Sequence, residues 1–380
     1  MRSLLSRLVR GGVLLAVSIA SSAASAGCFF SLDDVVSNRD GGSGDTGAQP
    51  FDGGGDDGGG STDGSVEQDA APRLTSLGRV CSKGRVTSMA VTNGTLLAVC
   101  SDTGWSIDGA PTGAIVTASA RDPFTASTPL GIDGNVLGAS TTDAYAAGPC
   151  GLTRITAQGT TTALTPVLPT TITAIRVGGG VVQFAGLGDD GVSSYDIADG
   201  TCADASACTP DPGCTRAVGP TGGTSMGLAA IGNAHVDYVC PHATRHAALV
   251  PYTNTVVQSP IFTDGDNTCD GDVPFGVAAT GSNANNSKVY FGVGSTLYQC
   301  KVGNGSNCTP SSTEAGPVTL VTGSVSPGSV AWVAGSRLRL MINGEITTVG
   351  ELDDRATALA FDGDNVLVGT LGGAVYRTNR

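Results

Sequence analysis

Thr87-Ser88-Met89-Ala90-Val91-Thr92-Asn93-Gly94-Thr95-Leu96-Leu97-Ala98-Val99 aligns without a gap onto Thr357-Ala358-Leu359-Ala360-Phe361-Asp362-Gly363-Asp364-Asn365-Val366-Leu367-Val368-Gly369. Each stretch is a short apolar, β-branched run, a tight-turn signal, and a second such run, which is the pattern of a strand, a turn and a strand. A third copy starts at Thr173-Ala174-Ile175-Arg176-Val177 and turns through Gly178-Gly179-Gly180 into Val181-Val182-Gln183-Phe184. A fourth, Lys288 to Gly292 followed by Thr296 to Gln299, matches Asn365 to Gly369 followed by Ala374 to Arg377. Weaker copies lie at Val136 to Ile155, Leu228 to Val239 and Val330 to Ile342. No window of similar length carries the 3.6-residue apolar period of an amphipathic helix, so the expectation is an all-β chain.

The spacing of the copies sets the architecture to expect. Thr87 to Thr357 is 270 residues, six steps of 45, and the 308 residues from Arg73 onward divide into seven units of 44. A four-stranded propeller blade uses about 40 to 50 residues. We therefore expect a β-propeller over 73–380, with seven blades favoured and six as the alternative. The last unit ends after three recognisable strands, around Ala358, Val366 and Val375, while Leu74 to Val80 is a strand-like run without a unit. Pairing the two, Leu74 to Val80 beside Ala374 to Arg377, would close the ring and remove two exposed strand edges.

The repeats resemble those of WD-repeat-like and YVTN-type propeller proteins, in particular secreted myxobacterial-type lipoproteins with a Gly/Asp-rich tether. The likeness covers about 73–380 and rests on degenerate strand patterns. The Gly-His and Trp-Asp signatures of strict WD repeats are absent. The resemblance implies a rigid scaffold that binds something, a protein or a glycan, at loops or at a central channel.

The N-terminal segment reads as an export signal. Arg2, Arg7 and Arg10 precede an apolar stretch from Val13 to Ala20 that is too short to span a bilayer. Two cleavage sites compete. Ala24-Ser25-Ala26 fits an ordinary signal peptidase, and Ser25-Ala26-Gly27-Cys28 resembles a bacterial lipobox with Ser25 in place of the usual Leu. Residues 28–72 hold ten acids and Arg39, a net charge of −9, and include the run Gly53-Gly54-Gly55-Asp56-Asp57-Gly58-Gly59-Gly60. This is the composition of a flexible acidic tether. A tether is useful when one end is fixed, so we expect residues 1–27 to be removed and Cys28 to carry lipid that holds the chain to a membrane. Phe29, where the lipoprotein pattern often has Asp for inner-membrane retention, points by resemblance to the bacterial outer membrane or cell surface.

Charge excludes one class of partner. The whole chain carries 20 basic and 33 acidic residues, net −13, and residues 73–380 keep 16 and 23, net −7. Nucleic-acid affinity draws on clustered Lys and Arg, and none exists after the first ten residues, so no nucleic acid is expected.

With Cys28 lipidated, ten cysteines remain, an even number that suits disulfides in an oxidising compartment. Cys300 and Cys308 flank a short polar loop and are expected to pair. Cys202, Cys208 and Cys214 are spaced more widely than structural zinc sites prefer, so disulfides are favoured over metal there.

Signals for chemistry are sparse. Asp264, Asp266, Asp270 and Asp272 supply the oxygen density of a calcium loop, but Val277 occupies its closing acid position, so we read a turn, with a weak calcium site as the alternative. No other cofactor is expected. His235, His242 and His246 are the only histidines; His242 and His246 would share a face on a helix, but Cys240-Pro241 before them and the β context make that pair surface loop residues rather than metal ligands. Asp189-Asp190 and Asp353-Asp354 fall at turns. Trp105 and Trp332 are read as packing between sheets rather than as stacking platforms. No nucleophile elbow, P-loop or dinucleotide fingerprint occurs. The expectation is a non-catalytic binding scaffold, with a calcium-dependent propeller hydrolase or lactonase as the alternative and a structural envelope subunit as a third class.

Overall fold

Two of the hairpins turn on Asn-Gly pairs, residues that tolerate left-handed backbone. Asn93 (φ 47°) and Gly94 (φ 73°) join Thr92 to Thr95, and Asn343 (φ 49°) and Gly344 (φ 90°) join Ile342 to Glu345. Two consecutive positive φ values match the right-handed twist of the flanking strands, and Asn-Gly reaches them at least cost. The computed structural model describes residues 73–379 apart from 107–109, 149–150, 165–171, 179–180, 187–190, 197–215, 219–222, 232–233, 242–247, 254–255, 258–261, 264–275, 281–286, 302–306 and 325–327. Every regular element among the described residues is a strand, and no helix there is long and apolar enough to cross a membrane.

The strands form seven small antiparallel sheets among the described residues. The first orders Arg85–Thr92, Thr95–Ser101, Gly113–Ser119 and Thr128–Gly134. The second orders Val136–Ala139, Asp143–Gly148, Gly151–Thr156 and Thr161–Ala163. The third takes Ile172–Gly178, Val181–Gly186, Gly191–Asp196 and Arg216–Val218. The fourth takes Gly223–Ile231, Ala234–Pro241, Ala248–Thr253 and Val256–Val257, with Phe262–Thr263 also pairing on Ala248–Thr253. The fifth runs Ala278–Thr280, Lys288–Val293, Thr296–Lys301 and Cys308–Thr313, and the sixth Val318–Gly323, Ser329–Ala334, Arg337–Ile342 and Glu345–Glu351. The seventh contains Ala356–Asp362, Asn365–Thr370 and Ala374–Asn379, and its fourth strand is Arg73–Arg79 from the other end of the described chain. That strand pairs Leu74 with Thr378, Ser76 with Tyr376 and Arg79 with Ala374.

Each sheet leans on the next in sequence through its first strand, and the first strand of the seventh sheet touches that of the first. Apolar clusters fill the spaces between them. Leu77, Val86, Leu96, Leu367 and Val375 pack between the seventh and first sheets, and Ala90, Leu97, Ile115, Leu137 and Ile155 between the first and second. Tyr238 and Phe291 lie between the fourth and fifth sheets, with ring centroids 5.6 Å apart. Alternating residues of a strand point to opposite faces, so a strand with a sheet on both sides reads as a nearly continuous apolar run rather than as an alternation.

A register shift recurs near the start of the first strand in five sheets, at Val86/Ser88, Ile172/Ala174, Ser225/Gly227, Val318/Leu320 and Ala356/Ala358. A bulge there adds twist and bends the strand. The intervening threonines bond through their hydroxyls: Thr87 donates to the carbonyl of Val99, and Thr357 donates to that of Val86 at 2.5 Å, joining the seventh sheet to the first. Ser88 serves the next junction, its hydroxyl accepting from the Leu137 amide at 2.9 Å.

Candidate functional site

The first strands of all seven sheets, or the residues leading into them, line one cavity of about 550 Å³. Its wall mixes apolar side chains, among them Met89, Val91, Leu137, Ile175, Val277 and Phe361, with hydroxyl-bearing ones such as Ser88 and Thr322. One side is built where the strands begin, from Thr87, Thr173, Gly276 and Trp105. Trp105 is fixed there by its indole N–H, which donates to the carbonyl of Thr87 at 2.9 Å, and it packs with Tyr145 and Leu152.

The opposite side is built where the strands turn back, from Asn93, Gly94, Ser140, Thr141, Ser324, Asp362 and Gly363. Asp362, the last residue of its strand, and Arg121, just beyond the third strand of the first sheet, are the only acid and base among the described lining residues. Asp362 Oδ2 lies 3.7 Å from Arg121 Nε and 3.4 Å from Arg377 Nη2. Local hydrogen bonds hold Arg121 in place: the Ser119 hydroxyl accepts from the amides of Arg121 and Asp122, and the Ala120 amide donates to the Gly94 carbonyl. Neutral hydroxyls and one ion pair can orient a ligand, and among the described lining residues none is a His, Cys, Glu or Lys suited to proton transfer or metal binding.

Other sites weighed from the sequence lie elsewhere. Cys28 and Asp264, Asp266, Asp270 and Asp272 fall outside the described residues, as do Asp189, Asp190, His242 and His246. His235 lies within Ala234–Pro241. Among the described residues, no cluster of three or more His, Cys, Asp or Glu side chains is placed to hold a metal. Asp354 closes a turn, with its two carboxylate oxygens accepting from the amides of Arg355 and Gly372. Cys300 and Cys308 form a disulfide across directly paired strand positions, and Cys81 pairs with Cys100, a partnership that spacing did not suggest. Trp332 is completely buried, and its indole N–H donates to Glu314.

Arg121 and Asp362 were not singled out by sequence reasoning. Asp362 was visible only as the first residue of a hairpin turn, and Arg121 as a lone cation in a polar loop; their meeting depends on two sheets more than 200 residues apart in the chain.

No protein-family model and no curated protein sequence matches the chain. Among solved structures, it is similar to selenomethionine-substituted virginiamycin B lyase from Staphylococcus aureus, a β-propeller, with a TM-score of 0.55 and 12% identity over 81% of this chain and 99% of that one. A catalytically inactive form of the same lyase with quinupristin gives a TM-score of 0.54 and 11% identity, covering 81% and 99%. At these identities the likeness concerns the fold alone.

Proposed function

We propose that this chain is a non-catalytic binding module of the bacterial cell envelope: a closed, seven-bladed β-propeller, carried on the acidic tether of residues 28–72 from a lipidated Cys28, that takes its ligand at the cavity between the blades. The closed-ring reading is supported by the order of contacts between first strands, which returns from the seventh sheet to the first, and by the strand Arg73–Arg79 pairing at the far end of the chain. Sharing a sheet between the two ends of a ring removes the free edges that would otherwise pair with other molecules. The observation that carries the binding reading is the composition of the cavity wall, which mixes apolar side chains with hydroxyls and carries the charged pair Arg121–Asp362 at its rim. Binding sites for small molecules combine apolar contact with placed polar groups in this way.

The export and anchoring part rests on the sequence: the arginine-led apolar leader, the lipobox-like Ser25-Ala26-Gly27-Cys28 and the tether that follows. Mass spectrometry of the mature N-terminal peptide tests it, with a diacylglycerol-modified Cys28 expected and an unmodified peptide beginning at Gly27 as the contradicting result. Metal analysis of the purified protein, together with a panel of lactones and esters, tests the non-catalytic part. A stoichiometric metal accompanied by turnover would establish a hydrolase instead.

A further inference from the structure

The ion pair at the cavity rim is unbalanced. One carboxylate, Asp362, faces two guanidiniums, so the trio keeps one positive charge. Arg377 is the inner member, with a side chain only 16% exposed, whereas Arg121 is 64% exposed. Arg121 touches Asp362 through Nε, and among the described residues its two Nη groups have no protein partner. Its guanidinium rests against the bare backbone of Gly94, where an added Cβ would lie 3.4 Å from Nε. The residue is thus set at the rim by the Ser119 turn, with its fork of donors uncommitted.

We propose that the cavity takes a small amphiphile with one anionic head group, a carboxylate or sulfonate, held by Arg121 at the rim while its apolar body lies against Leu137, Ile175, Val277 and Phe361. This deepens the binding-module reading and rests on it. A planar guanidinium with two free Nη groups suits a carboxylate better than a point charge does. Burying apolar surface against such a wall releases water that it cannot hydrogen-bond. A cationic ligand finds only Asp362, already taken by two arginines, and a second anionic group finds no other base among the described lining residues. The cavity, about 550 Å³, lies within the usual range for small-molecule sites, roughly 300 to 1,000 Å³.

The test is calorimetric titration of the full chain with octanoate, octanol and octylammonium, repeated with Arg121→Gln and with Ala139→Phe, which places a ring into the cavity from its wall. Octanoate is expected to bind about tenfold more tightly than octanol, the scale of a hydrogen bond to a charged group. Octylammonium is expected to bind most weakly. Arg121→Gln should erase the difference between octanoate and octanol without weakening octanol, and Ala139→Phe should weaken both. Equal binding of the three probes, or an octanoate preference that survives Arg121→Gln, overturns the inference while leaving a binding module in place. Absence of binding by all three also overturns it, and the turnover panel above then decides separately whether the module reading stands.

Discussion

At the scale of single residues, Glu314 stands out as a carboxylate whose side chain is largely covered and held by three neighbours. Its side chain is 7% exposed; one oxygen accepts from the Ser312 hydroxyl at 2.6 Å and the Trp332 indole at 3.2 Å, and the other lies 3.3 Å from Arg339 Nε. Removing one partner of such a set strands the others in a poorly solvated space. Glu314→Ala is expected to cost about 3–5 kcal/mol, the scale for breaking a buried ion pair, read as a lower urea midpoint with an unchanged slope. A loss below about 1 kcal/mol, the scale of an exposed pair, would contradict the burial assigned to it. Tyr290 makes a second prediction. Burial pushes its phenol above the ordinary value of 10.0, partly offset by a hydrogen bond with the Thr280 side chain. A raised folded pKa means that the folded state holds its proton longer than the unfolded one. Stability is therefore complete below about pH 10 and declines as pH rises from there through the folded value. Tyr290→Phe should flatten that alkaline decline in Tm, and an identical slope in both proteins would argue against a buried phenol. The packing role of Trp105 and Trp332 was legible from their β context. Their partners were not, because Thr87 and Glu314 meet them only through the fold.

At the scale of elements, the repeats announce more than strand positions. Gly369 and Gly292, aligned by the sequence copies, are places where the next sheet comes very close: a Cβ on Gly369 would lie 2.6 Å from Val86 Cγ1, and one on Gly292 would lie 2.4 Å from Val318 Cγ1. Gly369→Ala must push Val86 aside, and a cost of about 1–3 kcal/mol follows, the scale of overpacking a filled core. Ala in place of Gly294, where nothing lies within 4 Å, has only its positive φ of 54° against it and should cost about 1 kcal/mol. Thermal melts of the two variants separate crowding from backbone strain; equal losses would mean that the sheets are not in contact at Gly369. Strand type and hairpin turns could be read in advance because period and turn chemistry are local, and the pairing of Leu74 with Thr378 because a unit of three strands and a strand without a unit left one closure for the ring. The recurrent bulge in the first strands could not, since a one-residue register shift leaves no mark in composition. The Thr at the head of three copies was visible in Thr87, Thr173 and Thr357, but that Thr87 and Thr357 make hydroxyl links depends on which carbonyl the fold brings near.

At the scale of the whole molecule, the cavity exists only if the seven sheets hold one another in place. Two features guard the junction where the chain ends meet. The strand Arg73–Arg79 belongs to the seventh sheet, and Cys81, just beyond it, is bonded to Cys100 in the first. Reducing that link frees a loop of 19 residues and should lower stability by about 3 kcal/mol on chain-entropy grounds. Cys81→Ser with Cys100→Ser isolates this effect from the pair at Cys300 and Cys308. The number of sheets was approachable from repeat spacing, whereas the charged rim was not, because Arg121 lies in a loop and Asp362 at a strand end with no shared signature.

Deleting Arg73–Arg79 tests the ring most directly, with thermal unfolding and light scattering measured on the shortened and full chains side by side. A closed ring predicts one cooperative transition at a markedly lower temperature and concentration-dependent association through the uncovered edge of Ala374–Asn379. An unchanged melting temperature with a strictly monomeric shortened protein would contradict closure, and with it a cavity held by all seven sheets.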